Sequence, residues 1–126
     1  MEQESKRILV VDDEVFICEL LEEFLTVQGY YVITATDGEE AVSKFESKRP
    51  NLVLLDIRMP GMSGIDVLSR IKEIDDSAGV IILSAFGDVE MVQKALNMGA
   101  YRYMQKPVEL FSLLDTLNDC CKPSLP

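Results

Sequence analysis

Five short apolar runs alternate with longer amphipathic stretches along this 126-residue chain, and this alternation strongly constrains its fold. The runs are largely continuous rather than alternating in hydrophobicity, which is typical of strands buried on both faces of a parallel sheet. They are RILVVD (7–12), YVITAT (31–36), LVLLD (52–56), VIILSA (80–85) and YRYMQK (101–106). Because parallel strands need crossover connections, the pattern predicts five βα units in a doubly wound α/β fold.

The stretches between the runs carry helical signals. Apolar side chains recur three and four residues apart in two stripes, Ile17, Leu21, Phe24 and Leu25, and Leu110, Leu113, Leu114 and Leu117. Thr36 with Glu39, and Ser63 with Asp66, have the spacing of a capping box, in which the hydroxyl accepts a backbone N–H and the acid reaches back. These pairs predict the starts of two helices.

Charge and composition exclude several classes of function. The net charge is −10, which disfavours direct binding to nucleic acid or to an anionic membrane surface. No window approaches the ~20 apolar residues of a membrane helix, and the N-terminus lacks a signal-peptide pattern. Without histidine, the three cysteines do not predict a zinc site, so we interpret them as reduced packing or surface residues. We expect one cytoplasmic domain at 1–126, with a core at about 6–121 and a tail or linker at 122–126.

Polar side chains stand at the ends of four of the five predicted strands. Asp12 and Asp13 end the first strand, Asp56 the third, Ser84 the fourth and Lys106 the fifth. In a sheet of flavodoxin-like order 2-1-3-4-5, the carboxyl ends of these strands lie side by side near the topological switch point. The sequence therefore predicts that these side chains converge on one pocket.

Such a pocket needs a cation. Two carboxylates ~4 Å apart repel by about 4 kcal/mol at an effective dielectric of ~20, so the acidic cluster is tolerable only with positive charge among them. Lys106 supplies one charge, and Mg²⁺ suits an oxygen-rich site, with Mn²⁺ as an alternative. A carboxylate beside a metal, a hydroxyl and an ammonium group can act as a nucleophile toward phosphorus. The metal and the ammonium group would stabilise the oxygens of the phosphoryl group during its transfer.

Each of these residues also has an ordinary structural interpretation. Asp12 or Asp13 could cap the first helix, and Asp56 could open a turn. Ser84 and Lys106 could be a strand-end hydroxyl and a solvated lysine. The functional interpretation depends on all of them occurring together at strand ends.

The motifs VVDDE, LLDIRMPGMSGID, ILSAFG and YMQKP, in this order and spacing, resemble the receiver domain of bacterial two-component response regulators. The resemblance covers roughly Lys6 to Cys121. It implies that Asp56 is the phosphoacceptor, that Asp13 binds Mg²⁺ directly and that Asp12 acts through metal-bound water. It also implies that Arg58 gives its backbone carbonyl to the metal.

The resemblance further implies roles at the last two strands. Ser84 matches the switch hydroxyl, Lys106 the phosphate-binding lysine and Tyr103 the aromatic switch residue, and a cis peptide bond is expected between Lys106 and Pro107. The donor would be a phosphohistidine on a sensor histidine kinase or a histidine phosphotransfer protein. The surface of the fourth helix, fifth strand and fifth helix would then change, controlling an output domain or partner, with homodimerisation through this surface as one option.

Three other functions share part of this pattern. A phosphohydrolase of the haloacid dehalogenase type uses strand-end aspartates with Mg²⁺, but it normally has a second aspartate two residues after the nucleophile, whereas Asp12 and Asp13 are adjacent. A flavodoxin-like cofactor carrier would need a hydroxyl- and glycine-rich loop after the first strand, where this chain has acidic residues. A degenerate receiver acting as a scaffold would lack part of the acceptor set, which is complete here. We therefore expect a phosphoacceptor domain rather than a conventional enzyme.

Overall fold

The computed structural model describes residues 6–121, with side chains described for 6–120. Five strands alternate with five helices along the chain. The strands are β1 (Arg7–Val11), β2 (Tyr31–Ala35), β3 (Leu52–Asp56), β4 (Gly79–Ser84) and β5 (Arg102–Gln105). The helices are α1 (Val15–Val27), α2 (Gly38–Lys48), α3 (Gly64–Ile74), α4 (Val89–Asn97) and α5 (Leu110–Cys121). The predicted tail at 122–126 lies outside the described residues.

All five strands form one parallel sheet in the order β2-β1-β3-β4-β5, which confirms the predicted α/β architecture. The register places Val11 of β1 beside Leu55 of β3, and Asp56 beside Leu83 of β4. Beyond the last paired residues, Lys106 N–H donates to the Ser84 carbonyl at 2.7 Å. The ends of β1, β3, β4 and β5 therefore form one edge of the sheet.

Apolar side chains of the strands divide into two cores, one on each face of the sheet. Leu9, Val53 and Ile82 belong to the core that also contains the buried residues of α2 and α3. Leu54 and Ile81 belong to the other core, which contains the buried residues of α1 together with Leu113 and Leu117 of α5. Because successive strand residues point to opposite faces, a strand buried on both faces is apolar throughout. This explains the continuous runs.

Helix starts follow the sequence with one correction. Ser63 is the N-cap of α3, and its hydroxyl accepts the Asp66 N–H at 3.3 Å. The predicted pair of Thr36 and Glu39 is wrong by one residue, because Asp37 caps α2 and accepts the Glu40 N–H at 2.7 Å. Glu40 then accepts the Thr36 N–H at 2.9 Å. The helix is therefore capped one residue later than the threonine spacing indicates, and Glu40 reaches back to the residue before the cap rather than to the cap itself.

None of the described helices is long and apolar enough to cross a membrane. Two of the three cysteines have described side chains. Cys18 is buried beneath the end of β1, and Cys120 is partly buried against the second core. Burial raises the pKa of the Cys18 thiol to about 11, so it is protonated at neutral pH. The Cys18 side chain is therefore a packing residue, as predicted.

Candidate functional site

Asp12 directly follows β1 and is completely buried. Its backbone N–H donates to the Ala35 carbonyl at 3.1 Å, and its Oδ1 accepts the Glu14 N–H at 2.9 Å. The second contact closes a short turn in which the aspartate side chain bonds to the backbone two residues later. Glu14, rather than Asp12 or Asp13, is the N-cap residue of α1. The capping interpretation of the two aspartates is therefore wrong.

Lys106 brings the carboxylates of three different residues to one ammonium group. Its Nζ lies 2.9 Å from Asp12 Oδ2, 3.2 Å from Asp56 Oδ2 and 3.9 Å from Glu14 Oε1. The buried Asp12 Oδ2 meets Lys106 as an ion pair. Burial lowers the pKa of Lys106, but its contacts with Asp12 and Asp56 outweigh this effect and leave the pKa raised. Lys106 is therefore positively charged at neutral pH.

Asp56 ends β3 and is almost completely buried, with 6% of its surface exposed. Its Oδ1 accepts the Arg58 N–H at 3.1 Å, and its Oδ2 accepts a hydrogen bond from Lys106 at 3.2 Å. Burial raises the pKa of Asp56 to about 6, although Lys106 opposes the shift. The carboxylate is therefore mostly ionised at neutral pH, but it is poorly solvated and has donors on both oxygens.

Gly64 fixes the loop that follows Asp56. A Cβ at this position would lie 2.5 Å from Ile57 Cα and 2.6 Å from the Asp56 carbonyl oxygen. The Gly64 N–H also donates to the Ile57 carbonyl at 3.1 Å. The first residue of α3 thus packs directly against the backbone of the site, which only glycine allows without displacement. This close approach holds the end of β3 in place.

The acidic side chains form a set of oxygen ligands suited to a metal ion. One carboxylate oxygen from each of Asp12, Asp13 and Asp56 lies within 4.8 Å of the others. Asp13 is exposed, so the cluster opens to solvent on one side. Three carboxylates at this spacing, two of them buried, fit a hard divalent cation such as Mg²⁺. Their mutual repulsion would fall when a cation lies among them.

Ser84 and Tyr103 lie on the two strands at the other side of Asp56. Ser84 ends β4 and is buried, whereas the Tyr103 side chain on β5 is 48% exposed. Both line a cavity of about 240 Å³ between the β4–α4 loop and β5, together with Phe86, Val92 and Leu96. A buried position for Tyr103, the ordinary structural alternative, is wrong for this structure. The peptide bond between Lys106 and Pro107 is cis.

Asp88 is a residue of this region that the sequence interpretation missed. It precedes α4, is buried, and forms an ion pair with Arg58, whose Nε lies 2.7 Å from its Oδ1. An aspartate just before a helix is most simply read as an N-cap, so the sequence offered no signal for this contact. The structure therefore brings together Asp12, Asp13, Asp56 and Lys106. It places Ser84 at the end of the neighbouring strand β4 and adds the pair of Arg58 and Asp88.

Comparisons with known proteins agree with this fold and identify its family. Residues 8–118 match the family described as the response regulator receiver domain. The chain is 38% identical to sporulation initiation phosphotransferase F of Bacillus subtilis, over 97% of this chain and 95% of that protein. It is 40% identical to chemotaxis protein CheY of Thermotoga maritima, over 94% of this chain and 99% of that protein.

Solved structures of receiver domains have the same fold as this chain. The receiver domain of NtrX from Brucella abortus superposes with a TM-score of 0.87 at 33% identity, covering 93% of this chain and 99% of that one. A CheY-like receiver domain protein from Methanospirillum hungatei gives a TM-score of 0.89 at 32% identity, covering 92% and 93%. This chain belongs to the response regulator receiver domain family, whose members act in two-component signalling.

Proposed function

We propose that the domain accepts a phosphoryl group on Asp56 from a phosphohistidine of a sensor histidine kinase or a histidine phosphotransfer protein. The observation that carries this proposal is the contact of a buried strand-end carboxylate with Lys106 at 3.2 Å, within a cluster of two further carboxylates. Burial, a single cation and surplus acidic oxygens are what a metal-assisted phosphoacceptor requires. The domain would extend over about residues 6–121.

Mg²⁺ is the proposed cofactor, and Mn²⁺ would satisfy the same ligands. Asp13, Asp56 and the backbone carbonyl of Arg58 would hold it directly, and Asp12 would act through a bound water. When bound, the ion would neutralise acidic charge and stabilise the negative oxygens of the transferring phosphoryl group. The fit is supported by the three carboxylate oxygens that lie within 4.8 Å of one another.

The side chains of the chain itself would perform three tasks. Asp56 is the nucleophile: an oxygen of its carboxylate forms a bond to phosphorus while the bond from phosphorus to the donor's histidine nitrogen breaks, and the electron pair leaves with the imidazole. The Arg58 N–H and Lys106 orient that carboxylate through contacts at 3.1 and 3.2 Å. Lys106 also supplies positive charge to the phosphoryl oxygens. The same groups would promote loss of the phosphoryl group to water.

Phosphorylation would switch the surface formed by α4, β5 and α5. The new group adds about −1.5 to −2 charges beside Lys106 and Ser84, which would draw both toward it. Movement of the Ser84 side chain would open the cavity that it shares with Tyr103, allowing the exposed tyrosine to turn inward. The altered surface would then act on an output domain, a partner or a second copy of the chain.

Intact-mass spectrometry after incubation with acetyl phosphate and Mg²⁺ tests the transfer chemistry. We expect a mass gain of one phosphoryl group that hydroxylamine removes, and no gain in Asp56→Asn or in the presence of EDTA. A stable adduct in Asp56→Asn would place the acceptor elsewhere. Lack of both an adduct and beryllofluoride binding in the unmodified protein would reject the proposed function.

The switch has its own test. Ser84→Ala and Tyr103→Ala should each keep the Asp56 adduct but lose the effect of phosphorylation on partner binding or dimerisation. Sedimentation velocity with and without beryllofluoride measures the homodimer option directly. If both variants respond to the phosphoryl group as the unmodified protein does, the proposed route through Ser84 and Tyr103 is wrong.

A further inference from the structure

An ion pair joins the two loops that flank Asp56. Arg58 Nε donates to Asp88 Oδ1 at 2.7 Å, and Asp88 Oδ2 accepts the Ala85 N–H at 3.2 Å. Arg58 lies two residues after Asp56, and Ala85 directly follows Ser84. The Asp88 carboxylate therefore connects the loop that follows Asp56 to the β4–α4 loop, which follows Ser84.

The two side chains of this ion pair differ in their solvent exposure. The Asp88 side chain is 5% exposed, whereas that of Arg58 is 65% exposed. Within the described side chains, Arg58 is the only cation that pairs with Asp88. A buried carboxylate is costly without a cation, but an exposed guanidinium can leave its partner for another anion at low cost. Arg58 is thus the member of the pair that can change its partner at the lower cost.

Asp88 also has an alternative hydrogen-bonding partner, the first turn of α4, which its side chain does not use in this structure. It is the residue before α4, where an aspartate ordinarily accepts an N–H of the first helical turn. Among the described residues its carboxylate makes no such contact, because it is turned back toward Ala85 and Arg58. If Arg58 left, the Asp88 carboxylate could turn to the positive end of the helix. The loop between β4 and α4 therefore has two electrostatically reasonable arrangements.

We propose that Asp88 is a positioning residue that holds the Arg58 guanidinium on the β4–α4 loop, and that a phosphoryl group on Asp56 competes with Asp88 for it. The inference rests on the proposed function, since it assumes that Asp56 is the acceptor. Arginine presents a planar set of donors that binds phosphate oxygens well, and the phosphoryl group carries more charge than one carboxylate. Asp88 thus disfavours the phosphorylated state. Formation of that state would release Arg58 from the β4–α4 loop, which follows Ser84.

Beryllofluoride with Mg²⁺ mimics the phosphoryl group and allows the competition to be measured as an affinity. Asp88→Asn keeps an oxygen for the Ala85 N–H and a good capping side chain, but it removes the charge that holds Arg58. We expect this variant to bind beryllofluoride at least about fivefold more tightly, a modest coupling between two interactions. Glu73→Gln is the matched control, because it removes the carboxylate of the exposed pair with Arg70 on α3. It should leave the affinity unchanged.

A second arm tests whether Asp88 acts through Arg58. In an Arg58→Ala background, Asp88→Asn should no longer change the beryllofluoride affinity, since the contested guanidinium is absent. Nitrogen-15 NMR of the Arg58 side chain gives an independent signature. Its Nε–H signal should be shifted and protected in the free protein, lose this protection in Asp88→Asn, and change environment when beryllofluoride binds. If Asp88 had a merely structural role, beryllofluoride would change this signal equally in the unmodified protein and in Asp88→Asn.

The outcomes separate this inference from the proposed function. Equal or weaker beryllofluoride binding by Asp88→Asn, or the same gain with and without Arg58, would overturn the competition while the unmodified protein still binds. Failure of the unmodified protein both to bind beryllofluoride and to accept a phosphoryl group would overturn both proposals. Tighter binding that depends on Arg58, together with the NMR change, would establish Asp88 as the residue that sets the position of the guanidinium.

Discussion

Strand β3 lies in the middle of the sheet, between β1 and β4, whereas β5 lies at its edge and pairs with β4. All five residues of β3 are buried, including Asp56. In β5, Arg102, Tyr103 and Gln105 are exposed, and Met104 alone is partly buried. The proposed phosphoacceptor thus stands on a fully buried central strand, while the proposed switch residue stands on an edge strand with exposed side chains.

This difference would allow the proposed site to combine a fixed geometry with a conformational response. Close packing on both faces of β3 prevents Asp56 from moving away from its donors, and Gly64 fixes the backbone that follows. Little packing opposes rotation of a half-exposed side chain on β5. Lys106 follows β5 and contacts Asp56 at 3.2 Å, so it joins the two regions. Changes in the central strand should therefore affect stability, and changes in the edge strand should affect the response.

The largest effect is expected from shortening the core of β3. Leu54 is completely buried, so Leu54→Ala removes apolar contacts and leaves a cavity. We expect a loss of about 3 kcal/mol in the free energy of unfolding, within the 2–5 kcal/mol usual for such changes. Urea denaturation followed by circular dichroism measures it. Leu20→Ala, at a leucine that is 40% exposed, is the control and should cost less than about 1 kcal/mol.

Equal losses in these two variants would contradict the view of β3 as the rigid centre. A large loss confined to Leu54→Ala would support it. The m-value should stay the same in both variants, because a change would mean that the unfolded or native state had altered its compactness.

Asp56 should reduce the stability of the folded protein at neutral pH in the absence of a metal. The pKa of Asp56 rises from 3.8 to about 6 on folding, chiefly because the carboxyl is buried. Well below pH 3.8 the Asp56 carboxyl is protonated in both the folded and the unfolded state, so there is no penalty. Between pH about 4 and 6 the folded state keeps a proton that the unfolded state has lost, so stability falls as pH rises and remains lowered above pH 6. Asp56→Asn should remove this penalty.

We expect Asp56→Asn to be more stable than the unmodified protein by about 1–3 kcal/mol at pH 7.5 in EDTA, and equally stable near pH 4. Urea denaturation across this pH range provides the comparison, with the exposed Asp115→Asn as control. Addition of Mg²⁺ should narrow the gap by stabilising the protein that keeps Asp56. A gap that stays constant from pH 4 to 7.5 would show that burial of the charge is not its cause.

The sequence predicted the fold well because its strongest signal, buried runs separated by amphipathic stretches, reflects burial of whole strands. It also placed Asp12, Asp56 and Lys106 together, since the carboxyl ends of parallel strands share one edge. The helix start after β2 was wrong by one residue, because Thr36 and Asp37 can both cap a helix and local sequence does not choose between them.

Other features depended on tertiary structure. The contact of Arg58 with Asp88 spans thirty residues of sequence and two loops, so no local pattern predicts it. The exposed position of Tyr103, beside a cavity that the β4–α4 loop also lines, likewise depends on tertiary packing. Such features follow from packing and charge among distant elements, which sequence periodicity does not record.

The smallest effect on stability is expected at the edge strand. Tyr103 is 48% exposed, so Tyr103→Ala should change the free energy of unfolding by less than about 1 kcal/mol.

The environment of the Tyr103 side chain should nevertheless respond to phosphorylation. In protein labelled with fluorotyrosine, the fluorine-19 signal of Tyr103 should become less accessible to a paramagnetic solvent probe when beryllofluoride and Mg²⁺ are added. Tyr101, which is 40% exposed and precedes β5, serves as an internal reference. If both signals respond equally, the change extends along the whole edge of the sheet, and if neither responds, β5 is as rigid as β3 and the switch lies elsewhere.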